Sequence, residues 1–128
     1  MSFRWKTPEV EPHELDESLP LIYMWEITDQ DGNRVGRYVG KAKSGAKRPR
    51  THYARNVNRL LADKPYRKNK PDQYRTVHKA LAQAALQGHK ITLSFLCNVR
   101  RDENINEVER RYIRLKGSSG LESWQLND

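Results

Sequence analysis

The sequence predicts an α+β fold in which a small three-stranded antiparallel sheet is flanked by helices, in the order β-β-α-α-β-α. Two early segments and one later segment are short and rich in β-branched and aromatic residues, as strands are. Three longer segments repeat their apolar residues every three or four positions, which is the helical period. The 128 residues are enough for one modest core, so we expect one domain at residues 20–128.

The first two strands form a predicted hairpin. In residues 21–28 the odd-numbered positions are apolar, which predicts a strand with one buried face. Residues 29–33 contain an Asp-Gly pair, which is typical of a hairpin turn. Residues 34–39 return to extended character, and we expect the hairpin to close at Gly40.

The helix that follows the hairpin has an apolar and a basic face. Pro49 is tolerated only in the first turn of such a helix. The apolar residues at helical spacing are Tyr53, Val57, Leu60 and Leu61. The opposite face is a row of nitrogen donors at steps of four, three and four, namely Arg48, His52, Arg55 and Arg59. We expect this row to form one continuous basic face.

Residues 72–87 predict a second helix that ends at Gly88, and residues 91–97 predict the third strand. A last helix is expected to begin at Asn104, whose side chain can cap it, and to end at Gly117. The residues of this helix expected to face inward are Ile105, Val108, Tyr112 and Leu115.

Charge is polarised along the chain, whose formal net charge is +8. Residues 43–75 contain eleven Lys/Arg against two Asp, whereas residues 1–20 contain two Lys/Arg against five acids. A basic balance favours a polyanionic partner, because each cation that neutralises a phosphate releases counterions. The ordinary alternative is a basic surface that serves only solubility. We interpret residues 1–19 as an acidic extended arm, which could fold over the basic face and compete with nucleic acid.

Composition disfavours several classes of protein. No apolar run approaches the roughly 18 residues of a transmembrane helix, and the N-terminus has no apolar stretch of the signal-peptide kind. We therefore expect a soluble, cytoplasmic protein without a membrane partner. Cys97 is the only cysteine, so an intramolecular disulfide and a thiolate metal cage are excluded. Any metal must be held by oxygen or imidazole.

Five short sequence elements occur in an order that matches the predicted secondary structure. In chain order they are Leu21-Ile22-Tyr23, Tyr38-Val39-Gly40, Arg48 with His52 four residues later, Glu109-Arg110-Arg111-Tyr112-Ile113, and Asn127. With these elements the sequence resembles the GIY-YIG nuclease family over residues 21–127. One position departs from the family pattern, because Leu21 stands where the family name has its first glycine.

The resemblance implies a metal-dependent endonuclease that hydrolyses phosphodiester bonds, with DNA a better expectation than RNA. It implies one divalent metal ion, Mg²⁺ or Mn²⁺, held by Glu109. The residues that it implies to be catalytic are Tyr23, Tyr38, Lys41, Arg48, His52 and Glu109. Nucleases of this kind occur as homing, restriction, repair and phage-encoded enzymes, among which the sequence does not choose.

Physical chemistry gives separate reasons for these residue types. A metal on one carboxylate leaves coordination positions open for water and phosphate, and Arg48 can donate two parallel hydrogen bonds to a phosphate. Tyr23 and Tyr38 are expected to lie across from each other in the hairpin, with Tyr38 as the general base. Lys41 is expected to assist the loss of the Tyr38 proton, and His52 to bind phosphate or share the proton transfer.

Other residues are predicted to bind nucleic acid or to support the site. The nucleic-acid contacts are expected at Lys43, Lys47, Arg50, Arg55, Arg59, Lys64, Arg67, Lys68 and Lys70. Gly40 is expected to form the corner between hairpin and helix, and Asn127 to support the site. Each assignment has a structural alternative, such as a core tyrosine or an ion-paired Glu109. The second hypothesis is therefore a non-catalytic nucleic-acid-binding module on the same scaffold.

Overall fold

The computed structural model describes residues 4–64 and 74–128. Its element order confirms the predicted β-β-α-α-β-α arrangement. The elements are strands β1 (Leu21–Thr28) and β2 (Arg34–Ala42), a π-helical turn (Arg48–His52) that continues into α1 (Tyr53–Leu61), α2 (Thr76–Gln87), β3 (Lys90–Asn98) and α3 (Ile105–Lys116).

The three strands form one antiparallel sheet in the order β2-β1-β3, which confirms the predicted fold class. Its hairpin is longer than expected, because pairing continues to Leu21 opposite Ala42, two residues beyond Gly40. The prediction that the hairpin closes at Gly40 is therefore wrong. The reason lies in β1, whose first residues supply ladder partners for the two extra positions.

Two apolar clusters cover the two faces of the sheet. The odd-numbered residues of β1 pack against α1 and α2, as the period-two alternation predicted, in a cluster that includes Tyr23, Trp25, Tyr53, Val57 and Leu81. The other face packs against α3 in a smaller cluster formed by Ile22, Val39, Val99 and Val108. The sheet therefore lies between one layer of two helices and a second layer made by α3.

The chain turns from β2 into the helical layer at Gly45, whose φ is +96°. A Cβ at this position would stand 2.4 Å from the carbonyl oxygen of Glu17, so the arm crosses directly against it. The corner assigned to Gly40 is thus at Gly45, and a left-handed φ explains why a glycine is needed there.

Helix α2 begins at Thr76, and residue 72, where its start was predicted, lies outside the described residues. Tyr74 precedes the helix, is buried, and donates its hydroxyl to the carbonyl of Lys64 at 2.8 Å. The helix ends at Gly88 as predicted, with φ +70°.

Helix α3 has the predicted ends. The Asn104 side chain accepts hydrogen bonds from the backbone amides of Asn106 and Glu107, and Gly117 ends the helix with φ +61°. The expectation that Leu115 faces inward is wrong, because 68% of it is exposed. The apolar cluster beneath α3 reaches no further along the helix than Ile113, so Leu115 lies outside it.

Both outer edges of the sheet are covered by chain termini. The N-terminal arm is extended, forms a parallel bridge from Val10 to Leu93 on β3, and packs Trp5 against Trp25 at 5.9 Å between ring centroids. The C-terminal tail bonds to β2 through Arg37, which donates to Trp124 at 2.8 Å and accepts from Leu126 at 3.0 Å. Covered edges leave fewer open backbone groups for pairing with another chain.

Across residues 4–64 and 74–128, every helix is too short or too polar to cross a bilayer.

Candidate active site

A cleft of about 830 Å³ opens between the end of β2, the π-helical turn, the start of α2 and one side of α3. Among its lining residues are all six predicted catalytic residues, namely Tyr23, Tyr38, Lys41, Arg48, His52 and Glu109. Lys43, Lys47 and Asn127 also line it. The tertiary structure therefore brings all six predicted catalytic residues to one cleft.

Tyr23 and Tyr53 form a buried phenol pair at the base of the cleft. Their hydroxyl oxygens are 2.7 Å apart, and their rings meet edge to face. Loss of hydration raises the pKa of Tyr23 to about 12 and raises that of Tyr53 well above its usual value. Both phenols therefore stay protonated at neutral pH, and Tyr23 is better suited to positioning than to accepting a proton.

Tyr38 is the accessible phenol of the cleft. The expectation that it lies opposite Tyr23 is wrong, because Tyr38 pairs with Trp25 while Tyr23 pairs with Gly40. The two tyrosines still share one face of the sheet, as diagonal neighbours. Arg75, which precedes α2, donates from Nη1 to the Tyr38 hydroxyl at 3.4 Å.

Lys41 lies on the opposite face of β2 from Tyr38, because residues three apart in a strand point to opposite sides. Its ammonium contacts the side-chain oxygen of Asn106 and lies 4.0 Å from a carboxylate oxygen of Glu109. The expectation that Lys41 assists Tyr38 is therefore wrong. Lys41 lies instead beside the Glu109 carboxylate, while Arg75 donates to the Tyr38 hydroxyl and the charge of Arg48 also acts on that phenol.

Glu109 is a half-buried carboxylate on the α3 side of the cleft. Burial raises its pKa, and the charges of Lys41, Arg75 and Arg110 oppose that rise. As a structural alternative, Glu109 could pair with surface charges such as Arg110 or with Arg48, whereas its ion-pair partner is Lys41 at 4.0 Å. A cationic neighbour keeps such a carboxylate ionised in the folded protein more readily than burial alone would.

Arg48 and His52 enter the cleft from the π-helical turn. The positive charge of Arg48 acts on the Tyr23 phenol, so its guanidinium lies close to the buried pair. Burial, and then the charges of Arg55, Arg48 and Lys47, lower the pKa of His52. The imidazole is therefore neutral at pH 7 and has a nitrogen free to accept a proton or a hydrogen bond.

The predicted continuous row of nitrogen donors is divided between two surfaces. Arg48 and His52 line the cleft, whereas Arg55 and Arg59 line a separate groove together with Arg50 and Lys64. The prediction assumed uniform α-helical spacing, but a π turn holds more residues per turn and rotates the start of the row. The remaining predicted nucleic-acid contacts, Arg67, Lys68 and Lys70, lie outside the described residues.

Gly40 and Asn127 support the site in ways that the sequence did not specify. A Cβ on Gly40 would lie 2.4 Å from Cζ of Tyr23, so the missing side chain leaves space for that ring. The Asn127 amide donates to the Val39 carbonyl and accepts from the Val39 amide, each at 2.8 Å, and also accepts from Ser118 Oγ at 2.6 Å. Asn127 therefore pins the tail to β2 beside the cleft.

Metal-binding capacity is small. Among the described residues, no group of three or more His, Cys, Asp or Glu side chains gathers around one point. The Glu109 carboxylate lines the cleft and provides a hard oxygen ligand, and Asp128 is the other acid of the lining. This donor set fits an ion that keeps most of its water ligands, as Mg²⁺ does when one or two carboxylates bind it.

Sequence reasoning missed three polar residues that the cleft depends on. Arg75 bonds to Tyr38, Asn106 contacts Lys41, and Ser118 bonds to Asn127. Helical spacing places Asn106 on the same face as Glu109, three residues later, and this signal was available. The sequence placed Tyr53 only on the apolar face of the first helix, although its hydroxyl completes the phenol pair.

Comparison with protein-family models, curated proteins and solved structures found no match to this chain. The fold and the site together define a small α+β domain with a basic, phenol-lined cleft and one half-buried carboxylate.

Proposed function

We propose that this chain is an intracellular, metal-dependent endonuclease that hydrolyses phosphodiester bonds in DNA. The observation that carries the proposal is the convergence of four unlike groups on one cleft. These are the Arg48 guanidinium, the Tyr38 phenol, the His52 imidazole and the Glu109 carboxylate. A structural core has little use for such a set, whereas phosphodiester hydrolysis can use a cation at the phosphate, an acceptor for the proton of water and a carboxylate for a metal ion.

The charge of the cleft suits a phosphate backbone. Its lining includes five Lys/Arg side chains and two acids, Glu109 and Asp128. Arg48 is the cation best suited to the scissile phosphate, because a guanidinium can donate two parallel hydrogen bonds to neighbouring phosphate oxygens. Lys43 and Lys47 are exposed at the cleft margin, where they attract the flanking phosphates.

Proton transfer is assigned to the accessible groups. Tyr38 is half-exposed and has Arg75 as hydrogen-bond donor, and His52 is neutral near pH 7. The neutral His52 imidazole can accept the proton of an attacking water directly, whereas Tyr38 can do so only after its own phenol proton has left. Tyr23 is assigned a positioning role, because its hydroxyl is buried against Tyr53 and its pKa is raised to about 12.

Glu109 is the residue that would hold Mg²⁺ or Mn²⁺, which when bound supplies Lewis acidity at the phosphate. Lys41 holds the carboxylate at the cleft wall, and Asn106 in turn fixes the Lys41 ammonium. The 4.0 Å ion pair between Lys41 and Glu109 is equally consistent with a purely structural role for Glu109. The competing function is therefore a nucleic-acid-binding module without catalysis.

The test is incubation with supercoiled plasmid in Mg²⁺, in Mn²⁺ and in EDTA. The parent protein is compared with Glu109→Gln and with Glu107→Gln, a matched change on the same helix at an exposed residue outside the cleft. We expect metal-dependent nicking or linearisation by the parent and by Glu107→Gln. Glu109→Gln should lose it by a factor of about 10² or more, because a transition-state interaction is removed.

Binding measured in EDTA separates the two functions. Glu109→Gln should bind plasmid at least as well as the parent, because it removes a negative charge from a basic cleft. A parent that binds plasmid but cuts in neither metal contradicts the enzyme and supports the binding module. Cutting by Glu109→Gln at the parental rate removes Glu109 from the mechanism.

A further inference from the structure

A second recess, of about 1170 Å³, lies beside α1 and is formed by the N-terminal arm, α1 and α2. We call it the basic groove. Its lining includes seven Lys/Arg side chains, and none of the described lining residues is Asp or Glu. Besides Arg50, the cations are Arg4, Lys6, Arg55, Arg59, Lys64 and Lys79. The groove is thus more uniformly basic than the cleft.

One of the seven cations is already neutralised. Arg50 donates to the two carboxylate oxygens of Glu17 at 2.6 and 2.8 Å and lies over the Phe95 ring. It therefore belongs to the wall that joins the arm to the fold. The exposed cations of the groove have no Asp or Glu among its described lining residues, and like charges gathered in one concave space repel each other; these cations are Arg4, Lys6, Arg55, Lys64 and Lys79. Binding of a polyanion would relieve this repulsion, so the groove favours a polyanionic ligand.

The basic groove and the cleft are connected by the same helical layer. On α2 and the residue before it, Arg75 lines the cleft and Lys79, one turn later, lines the groove. Next to α1, His52 lines the cleft and Arg55 lines the groove. One helical turn advances about 5.4 Å, and successive phosphates of a duplex strand advance about 3.4 Å. The two recesses are therefore within a few nucleotides of each other.

We propose that the basic groove binds the sugar-phosphate backbone of a nucleic-acid duplex beside the cleavage point, as an anchoring surface separate from the cleft. The identity of the polyanion rests on the proposed function. A concave recess that continues from a phosphate-binding cleft suits a rod-shaped backbone better than a flat lipid surface. Anchoring outside the cleft lets the chain hold its substrate while the cleft binds only the scissile phosphate.

The test uses fluorescence anisotropy with a labelled duplex of about 20 base pairs in EDTA, at several salt concentrations. The groove variant is Arg55→Gln with Lys79→Gln, both exposed residues. The control is Arg101→Gln with Arg114→Gln, two exposed arginines that line neither recess. Both variants remove two positive charges, so a difference between them reports position and not net charge.

For the groove variant we expect a loss of affinity of about tenfold for each lost phosphate contact at 0.1 M salt. The slope of log affinity against log salt should become shallower by about two, while the control stays near the parent. Equal slopes and affinities for both variants would overturn the proposal. So would a groove variant that loses binding to anionic phosphatidylserine vesicles but keeps duplex binding, since the groove would then serve a membrane.

Cleavage distinguishes this failure from failure of the proposed function. If the parent cuts plasmid and the groove variant binds duplex like the parent, the groove inference fails alone. If the groove variant loses duplex binding but the parent never cuts, the endonuclease proposal fails alone. Thermal unfolding of both double variants checks that neither has lost its fold.

Discussion

The cleft and the basic groove lie beside the same helix but differ in the chemistry of their walls. The cleft combines cations with phenols, an imidazole and a half-buried carboxylate, and burial shifts the pKa values of Tyr23, His52 and Glu109. The groove has cations and no described acid in its lining. The comparison shows that a mixture of partly buried titratable side chains indicates a catalytic site, whereas exposed side chains of one charge indicate a binding surface.

Arg48→Lys, a substitution in the cleft, is expected to give the largest difference between an effect on cleavage and an effect on binding. Lysine keeps the charge but loses the paired hydrogen bonds, so the cleavage rate should fall by about 10²-fold. Duplex affinity in EDTA should change by less than about threefold, because the point charge is retained. Single-turnover cleavage and anisotropy measure the two quantities. A loss of affinity as large as the loss of rate would make Arg48 a binding residue like those of the groove.

Tyr23 and Tyr38, which both line the cleft, should respond differently to loss of the hydroxyl group. Tyr38→Phe removes an accessible hydroxyl, and we expect the cleavage rate to fall by about 10²-fold with little change in stability. Tyr23→Phe leaves the buried Tyr53 hydroxyl without its partner, so the free energy of unfolding should fall by about 1–3 kcal/mol. Chemical denaturation and cleavage kinetics measure both. The reverse pattern would exchange the two roles.

A smaller effect is expected at the wall of the groove. Glu17→Gln removes the carboxylate that neutralises Arg50, which then becomes available to a phosphate. Duplex affinity at low salt should rise by a few fold, and cleavage per bound complex should stay the same. Glu14→Gln, an exposed acid of the same arm, is the matched control. An equal rise in both variants would indicate a general charge effect and remove the specific contact.

The smallest effect concerns stability at the cleft. Burial raises the pKa of Glu109, so the folded protein binds that proton more tightly than the unfolded chain. The stability linked to Glu109 is therefore present at acidic pH and is lost as the pH rises through the raised value. Relative to the parent, Glu109→Gln should gain stability between about pH 4 and pH 7. Thermal melts measure this gain.

The matched control for these melts is Glu107→Gln. Because Glu107 is exposed, the difference in stability between Glu107→Gln and the parent should change little over the same pH range. A Glu109→Gln difference that stays constant with pH would contradict the pKa shift. Together with the plasmid test, a variant that is more stable but inactive would identify Glu109 as a group retained for chemistry at some cost in stability.

The net charge of the acidic arm, residues 1–19, does not by itself describe what the arm contacts. Its acids suggested a segment that competes with nucleic acid for the basic face, and Glu17 does bind Arg50. The same arm packs Trp5 against Trp25 and contributes Arg4 and Lys6 to the basic groove. Deleting residues 1–19 would therefore remove part of the core and part of the groove together. Net charge per segment cannot show how single side chains are distributed between two surfaces.

Local patterns alone determined most of the secondary structure. Period-two alternation predicted β1 and its buried face, a capping Asn104 and the glycines after α2 and α3 predicted helix ends, and element order followed. These features depend on residues close in sequence, so the sequence predicts them without knowledge of the tertiary structure. The candidate cleft residues were also named from the sequence, through short elements in a fixed order.

Only the tertiary structure decided how these residues meet. Strand register placed Tyr38 opposite Trp25 and sent Lys41 to the far face of β2, where it meets Glu109. The π turn divided one row of cations between two recesses, and Arg75 reached Tyr38 from another element. Register, a non-standard turn and contacts between distant segments depend on packing of the whole chain. No local period in the sequence specifies them.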